Sequence, residues 1–600
     1  MVYDFDGQDI GQTDLPDGDY RNNDLTYHAV ATPFVSSDVL GDRSLELDLN
    51  WALGTGEFGK NMSRFIELDP ISDRLNFYFY NPTSNAGDAS VQITITEDDN
   101  NNNNYEYVSD DKWIDNITIA RLPAWQMISL PLSNFTDGNA GGNGIFDAGF
   151  AGAGSMLFSV GFVFTPSGAA MGSEHYFMDM ICFSEGTLPV GTTILDLPPK
   201  HADDYCDLGA LQNNTHPEVT PDSVEPLFTQ HKLSYVNWFL DYAHTGTTAN
   251  AYPGTEVQTL LSGGYRPVIT WEMMYEGFAR LDPVQPRLNK ILDGTFDGYI
   301  DAFADQIRSY SDTIIIRIFH EFEGDWYPWS LTENGQDPSI YIAAYRHVVD
   351  RFRARGTYNV KWMWCVNAEP KPYVDYNRVV DAYPGDNYVD IVATDIYNHP
   401  DPGIPAWKSF RYTLAESYYT LTKHFPSKPF YICEVACRER NGSEPSGSQT
   451  KADWLCQMNK ELQSYFGKTR ALFFFSMLKE HDWRINSSPS ALAANQNCIW
   501  SDTYYGTISA MAENDIPSFI KIFPNPFNTE LTVDIASEKF ADDGYEIRIT
   551  DILGKIIYSS QSHLMHTTIV PGEMTTPGMY VVEIRNAAFF RRFKMIRTVF

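Results

Sequence analysis

Between residues 205 and 477, eight apolar, β-rich runs recur with helical segments between them, and few folds can be built from that alternation. The runs lie near 205–211, 233–239, 266–271, 313–320, 359–366, 388–397, 428–434 and 470–477. The fourth is the most continuous: Ile314, Ile315 and Ile316, then Arg317, Ile318, Phe319, His320 and Glu321, with no Gly or Pro to break it. The segments between carry the helical period. In 296–310, Ile300, Phe303, Ala304 and Ile307 share one face, and 339–355 and 452–466 behave alike. The pattern predicts a (β/α)8 barrel over 195–512, with its chemistry at the C-terminal ends of the strands.

A chain of 600 residues is too long for one core, so further domains are expected on both sides. Over 1–190 the period is two, as in 44–49, 75–80, 91–96, 127–132 and 157–163, with Asn, Gly and Asp clusters between. That predicts an antiparallel β-sandwich. Its run 98–104 reads as a solvated hairpin loop, with contact to a cation the less favoured reading. Alternation returns in 531–535, 545–549, 555–558 and 579–584, which predicts a smaller β-sandwich over 519–600. It has a turn at 551–555 and a final strand carrying Arg591, Arg592 and Lys594.

The formal charge of −35 argues against nucleic acid or an anionic membrane as partner. An aromatic content of 14% fits stacking on sugar rings, although large cores account for most of it. The 7 cysteines are odd in number and sparse, so no disulfide framework is expected. Cys433 and Cys437 lack a second pair at zinc-ligand spacing, so no metal site is predicted there. No apolar run is long enough for a transmembrane helix. The first residues lack the basic and apolar regions of a signal peptide, which alone would suggest the cytoplasm.

Two carboxylates stand out at strand ends. Strict alternation on the fourth run turns Ile314, Ile316 and Ile318 toward the helices and Arg317, Phe319 and Glu321 inward. On the seventh run Phe430, Ile432 and Glu434 share a face. Strands four and seven lie on roughly opposite sides of a barrel mouth, so Glu321 and Glu434 could flank a glycosidic bond. Breaking that bond takes one protonated carboxyl to release the leaving oxygen and one ionised carboxyl to trap the developing cation. Both have reference pKa values near 4, so their surroundings must separate them. The same alternation turns His320 away, so any role for it requires a bulge or bend.

The stretch His320-Glu321-Phe322-Glu323-Gly324-Asp325-Trp326-Tyr327-Pro328-Trp329 resembles the His-Glu-x-Asn-Gly-x-Trp-x-x-Trp signature of glycoside hydrolase family 26. Segments 293–300, 383–390 leading to 395–397, and 481–486 agree with that family in order. The resemblance implies a retaining mechanism with Glu321 as general acid/base and Glu434 as nucleophile. It implies that His320 orients the nucleophile or a substrate hydroxyl, that Trp326 is a sugar platform and that Tyr397 hydrogen-bonds Glu434. Asp395, Trp271 and Trp483 are further subsite candidates, and Trp329 is either a second platform or loop core. Glu323 stands where the family has Asn. If ionised and close, it would raise the pKa of Glu321, and it is itself a weaker candidate for the acid. Members of the family cut β-1,4-mannan, mixed-linkage β-glucan or β-1,3-xylan without a cofactor. The Trp-Tyr-Pro-Trp loop is nearer the glucan-cutting members, and mannan and mixed-linkage glucan stay level.

Segments 3–7, 125–133 and 175–183 resemble jelly-roll carbohydrate-binding modules, the glucan-binding kind most nearly. Such modules often carry a structural calcium, and a purely structural sandwich is the alternative. The tail has Phe-Pro-Asn-Pro at 523–526, Asp551 with Gly554 and Lys555, and Gly-Met-Tyr-Val-Val at 578–582. It resembles the sorting domain of the type IX secretion system, against a generic fibronectin-like spacer. That implies contact with the secretion machinery and a secreted or surface location on a Gram-negative bacterium, the export signal having been trimmed ahead of Met1. A monomer is expected. An endo-acting hydrolase of plant cell-wall β-glycans is favoured over a non-catalytic carbohydrate-binding surface protein, because both glutamates are present.

Overall fold

The computed structural model describes residues 19–23, 25–31, 43–149, 154–167, 172–185, 206–211, 233–244, 252–399, 407–440, 449–500, 504–505, 520–523, 530–535, 544–551, 556–569, 578–586 and 589–597. The chain divides into two compact units, Met1–Thr507 and Ile508–Phe600. The N-terminal sandwich and the barrel therefore belong to one unit.

The sandwich has a six-stranded sheet, in spatial order Asp19–Asn23, Gly56–Arg64, Met156–Thr165, Ala89–Asp98, Lys112–Ile119 and Thr136–Asp137. The other sheet has five strands: Leu25–Ala31, Arg43–Asn50, Ser173–Glu185, Asp73–Tyr80 and Gln126–Pro131. Alternate residues of both sheets, among them Leu45, Leu47, Phe77 and Phe79 against Ile93, Ile95, Phe162 and Phe164, make one core. The loop after Ala89–Asp98 exposes Asn100, Asn102, Asn103 and Asn104, as expected, while acidic groups at its base are enclosed. Asp98, Asp110 and Asp111 are buried, and Asp98 accepts from the amides of Asn102 and Asn103 at 3.1 and 2.6 Å. Its short acceptors stand in for a turn's own carbonyls.

Eight parallel strands close the barrel: Asp207–Leu211, Tyr235–His244, Arg266–Glu276, Ile314–Ile318, Val360–Asn367, Ile391–Asn398, Phe430–Cys437 and Thr469–Phe475. Closure pairs Asp207 with Ala471. The interior is packed by Tyr235, Val268, Ile315, Met363, Ala393, Tyr431 and Phe473, among others. Gly209 is required there, because a Cβ would fall 2.5 Å from the Phe473 ring. The helix Asp297–Ile307 buries Ile300, Phe303, Ala304 and Ile307, the face its sequence predicted. The helix Lys451–Ser464 opens with a capping box between Thr450 and Asp453. Cys456 and Cys498 form a disulfide with Cα atoms 5.1 Å apart.

Two irregularities place the site. The fourth strand stops at Ile318, because Phe319 and Glu321 adopt left-handed backbone with φ of 48° and 50°. Phe319 is thereby turned toward the helices, where its ring lies 6.1 Å from Trp329 and 6.3 Å from Tyr341. Strict alternation had placed it inside the barrel. On the seventh strand the register runs Thr394 to Ile432 and then Asp395 to Glu434. Tyr431 and Cys433 face the interior, whereas Phe430 and Ile432 pack under the helices. Glu434 thus does not share a face with them, and the bulge beside Cys433 turns it inward.

The C-terminal unit has a three-stranded sheet, Ile520–Phe523, Leu531–Ile535 and His566–Ile569. Its four-stranded sheet is Ile556–Ser562, Tyr545–Asp551, Gly578–Asn586 and Phe589–Arg597. Leu531, Val533, Ile547, Ile549, Tyr580, Val582 and Ile584 form its core. Residues 3–7, 524–526 and 552–555 and the side chains of Arg591, Arg592 and Lys594 lie outside the described parts. Among the described residues, no helix is long and apolar enough to cross a membrane.

Candidate active site

Arg317, the only charged side chain of an otherwise all-isoleucine strand, is fully buried at the base of the mouth. Its Nη1 donates to Asp395 Oδ2 at 2.6 Å, its Nε to Thr270 Oγ1 at 2.8 Å, and its Nη2 to Glu434. Burial works against its charge, but Asp395 and Glu434 outweigh that and hold its pKa well above the usual arginine value. The Phe239 ring lies 5.4 Å from the guanidinium carbon. One buried cation is therefore shared by two buried carboxyl groups.

Glu434 accepts from Arg317 and from the Tyr397 hydroxyl. Burial and then Glu434 push the Tyr397 phenol well up, so it stays a donor. Glu321 sits beyond the left-handed bend, its amide bonded to the Cys365 carbonyl at 3.0 Å. Its carboxyl accepts from Trp326 Nε1 at 2.7 Å. Burial, and next the charge of Glu434, push Glu321 up to about 7, against the pull of Trp326 and Arg317. At 8% and 4% exposed, Glu321 and Glu434 open only narrowly to solvent.

The bend that turns Phe319 out brings His320 in. Its Nε2 lies 2.9 Å from Tyr327 Oη and 3.8 Å from Glu272 Oε1, and its Nδ1 has no protein partner. Burial and the nearby Arg317 hold its pKa well below 6.5, so the imidazole is neutral. Glu272, on the third strand, is raised well above the carboxylate range by burial and then by Asp241.

The tryptophans divide. Trp326 is half-buried and touches Glu321 directly. Trp483 is buried and meets Tyr397 edge-on at 5.2 Å. Trp329 is loop core and offers no face to the cleft: fully buried, it stacks on Tyr327 at 4.4 Å and donates to the His320 carbonyl at 2.7 Å. Trp271 is not a subsite residue. It stacks on Phe303 at 4.2 Å under the helices and donates to Tyr299.

Glu323 is fully buried, and burial raises its pKa well above the usual range. Its carboxyl accepts from the Asn367 amide, away from solvent. It is thus a neutral acid, so the condition under which it would raise Glu321 by charge is not met. Sequence reasoning also missed Arg317, Thr270, Tyr327 and Glu272 as site residues. A lone Arg inside an apolar strand was the available signal.

Elsewhere among the described residues, the one set of His, Asp and Glu donors within 4.8 Å of each other is Glu46, Asp48 and His175. An imidazole in that set does not suit calcium, which takes oxygen ligands.

Residues 273–447 match the model of glycosyl hydrolase family 26, and residues 521–596 that of a secretion system C-terminal sorting domain. Endoglucanase H of Acetivibrio thermocellus is 34% identical over 269 residues, covering 44% of this chain. A mannan endo-1,4-beta-mannosidase of Bacillus subtilis is 28% identical over 263 residues, covering 42% of this chain. The chain spans 27% of the length of the first and 62% of the second. A solved endo-beta-1,4-mannanase double mutant from Cellulomonas fimi is 14% identical, with a TM-score of 0.40, covering 66% of this chain and 94% of that one.

Proposed function

We propose that this chain, whose barrel belongs to glycosyl hydrolase family 26, is an exported, retaining, endo-acting β-glycanase. The observation that carries the reading is the contrast between two carboxyls at one mouth. Glu321 is raised to about 7 by burial and by its neighbour's charge, whereas Glu434 meets a guanidinium and a phenol. That is the division of labour a double displacement needs.

In the first step Glu434 attacks the anomeric carbon while Glu321 gives its proton to the departing glycosidic oxygen. Bond formation to Glu434 removes its negative charge, which lessens the pressure on Glu321 to stay protonated. In the second step Glu321, now a carboxylate, takes a proton from water, and that water displaces Glu434. The product keeps its anomeric configuration. Neutral His320 directs its unpartnered Nδ1 to a sugar hydroxyl, and Trp326 offers its indole face to a ring at the cleft. The reaction so written needs no cofactor.

The substrate class is plant cell-wall β-glycan, with mixed-linkage β-1,3-1,4-glucan placed ahead of β-1,4-mannan. The name and 34% identity of Endoglucanase H support the glucan arm, and the relatives named mannosidases support the other. The sorting domain supports export by the type IX route to the surface or medium of a Gram-negative cell.

The test is reducing-sugar release and viscosity loss on barley-type glucan, glucomannan and galactomannan. Rapid viscosity loss on one of them is the endo-acting outcome. Retention on all three polysaccharides with no new reducing ends would instead make the chain a non-catalytic glycan-binding protein.

A further inference from the structure

We infer that the N-terminal sandwich is a positioning element of the active site, gripping the loop after the fifth barrel strand, which in turn holds the turn carrying Glu321. The inference rests on the reading of Glu321 as acid/base.

The grip is made by Arg64, Phe65 and Gly154 of the sandwich. Arg64 Nη2 lies 3.3 Å from Glu369 Oε2, and Lys408 Nζ lies 3.1 Å from the other oxygen of the same carboxylate. Burial would raise Glu369, but Arg64 and Lys408 overcome it and bring it down to about 2. Arg64 Nε also lies 3.7 Å from Glu416, which accepts from the Tyr373 hydroxyl. The Phe65 ring stacks on Tyr373 at 5.9 Å, and the Arg64 guanidinium covers that ring at 4.4 Å. Arg378 lies over Phe65 at 4.2 Å and donates to the Gly154 carbonyl at 3.2 Å. Glu369, Tyr373 and Arg378 are thus all held from the sandwich side.

The same loop fastens Glu323 from the other side. The Glu323 carbonyl accepts from the Lys371 amide at 2.9 Å and from Asn377 Nδ2 at 2.5 Å, and its carboxyl accepts from the Asn367 amide. Glu323 belongs to the turn closed by the Gly324 amide on the Glu321 carbonyl at 3.0 Å. Glu321 itself sits at φ 50°, a backbone state that persists only where its surroundings over-determine it. The ties on Glu323 supply that constraint, and the sandwich fixes the loop that supplies the ties. Arg64 is a positioning residue in this scheme.

The test uses the full chain carrying Arg64→Ala, with Arg64→Lys as the conservative variant and Phe65→Ala as a second route. Arg64→Ala should lower kcat roughly tenfold with KM unchanged, as a small displacement of an acid/base does. It should also move the basic limb of the kcat–pH profile to lower pH, because a loosened Glu321 is less enclosed. Hydrogen exchange should accelerate in peptides covering 319–331 and 367–378, and Arg64→Lys should recover most of the rate. Unchanged kcat and pH limb beside faster exchange, or faster exchange confined to the sandwich, overturns the inference. If Arg64→Ala does not fold, the same readouts on Phe65→Ala and Arg64→Lys decide. If the wild-type chain cleaves no glycan, the hydrolase reading fails, and exchange at 319–331 alone decides whether the grip exists.

Discussion

Trp326 donates its indole N–H to the Glu321 carboxyl at 2.7 Å, so the ring proposed as a sugar platform also tunes the carboxyl proposed as the acid. The bond favours the charged form and pulls the Glu321 pKa down, yet burial and Glu434 still leave it at about 7. As general acid, Glu321 must be protonated, so kcat/KM should fall as pH rises through about 7. Trp326→Phe keeps an aromatic face and removes the donor. Its basic limb should move to higher pH, measured on a soluble glycan under initial-rate conditions. A limb that stays in place would break the link between Trp326 and the acid.

Glu321 and Glu323 lie two residues apart and are both buried, but only the first touches the other cleft carboxyls. Glu321→Gln should cost on the order of 10²–10⁴ in kcat for substrates with poor leaving groups. The loss should shrink sharply for an activated aryl glycoside, whose departure needs no proton. Glu323→Gln replaces a neutral acid with a near-isostere that can still accept from the Asn367 amide. It should keep kcat within a few-fold and leave the pH limb in place. The opposite ranking of these variants would exchange the two assignments.

The eight strands were legible because β-branched runs in a barrel are buried on both faces, and amphipathic helices mark the intervals. Where alternation held, facing was legible too. Trp271 shares parity with Ile269 on the third strand, a signal that it packs under the helices rather than at the mouth. Alternation failed where backbone departs from the pleat. Phe319 at φ 48° and the bulge beside Cys433 each reverse facing within one residue, and no side chain there announces it. Without the first, His320 would sit behind the barrel wall. Trp329 carried no sequence signal at all, because a loop aromatic can stack on sugar or on Tyr327 equally well.

Arg317 and Asp395 are both fully buried, and Glu434 joins them at the same guanidinium. Arg317→Met removes the only cation that contacts both carboxylates among the described residues. Removing one partner of a buried ion pair costs roughly 3–5 kcal/mol, because the remaining charge has no compensation. Asp395 is already raised well above the usual range by burial despite Arg317, and the variant should raise it further. Because Asp395 is raised in both forms, the difference between them opens only above the pH at which the wild-type folded chain would ionise it, not from the unfolded value near 4. The charge-dependent part of the stability lost in Arg317→Met should therefore stay flat through acid and grow toward alkaline pH, read as midpoints of denaturant unfolding from about pH 3.5 to 9. A loss independent of pH would mean that packing, not charge, is what Arg317 provides.

Glu434 is held by the Arg317 guanidinium and the Tyr397 phenol, an arrangement that fixes the carboxylate's direction. If that oxygen forms a bond to the anomeric carbon, Glu434→Ala should lose at least on the order of 10⁴ in kcat, with the fold intact by circular dichroism. The shortened side chain leaves room at the reacting face while Glu321 keeps its Trp326 partner. Added azide should then attack from the vacated side and give a glycosyl azide of inverted configuration, detectable by proton NMR with an activated glycoside as donor. Recovery without that product would count against Glu434 as the nucleophile, and an azide of retained configuration would mean that a different group forms the covalent intermediate. Tyr397→Phe supplies the paired control. It removes the donor to Glu434 but leaves the nucleophile, so it should slow turnover without becoming responsive to azide.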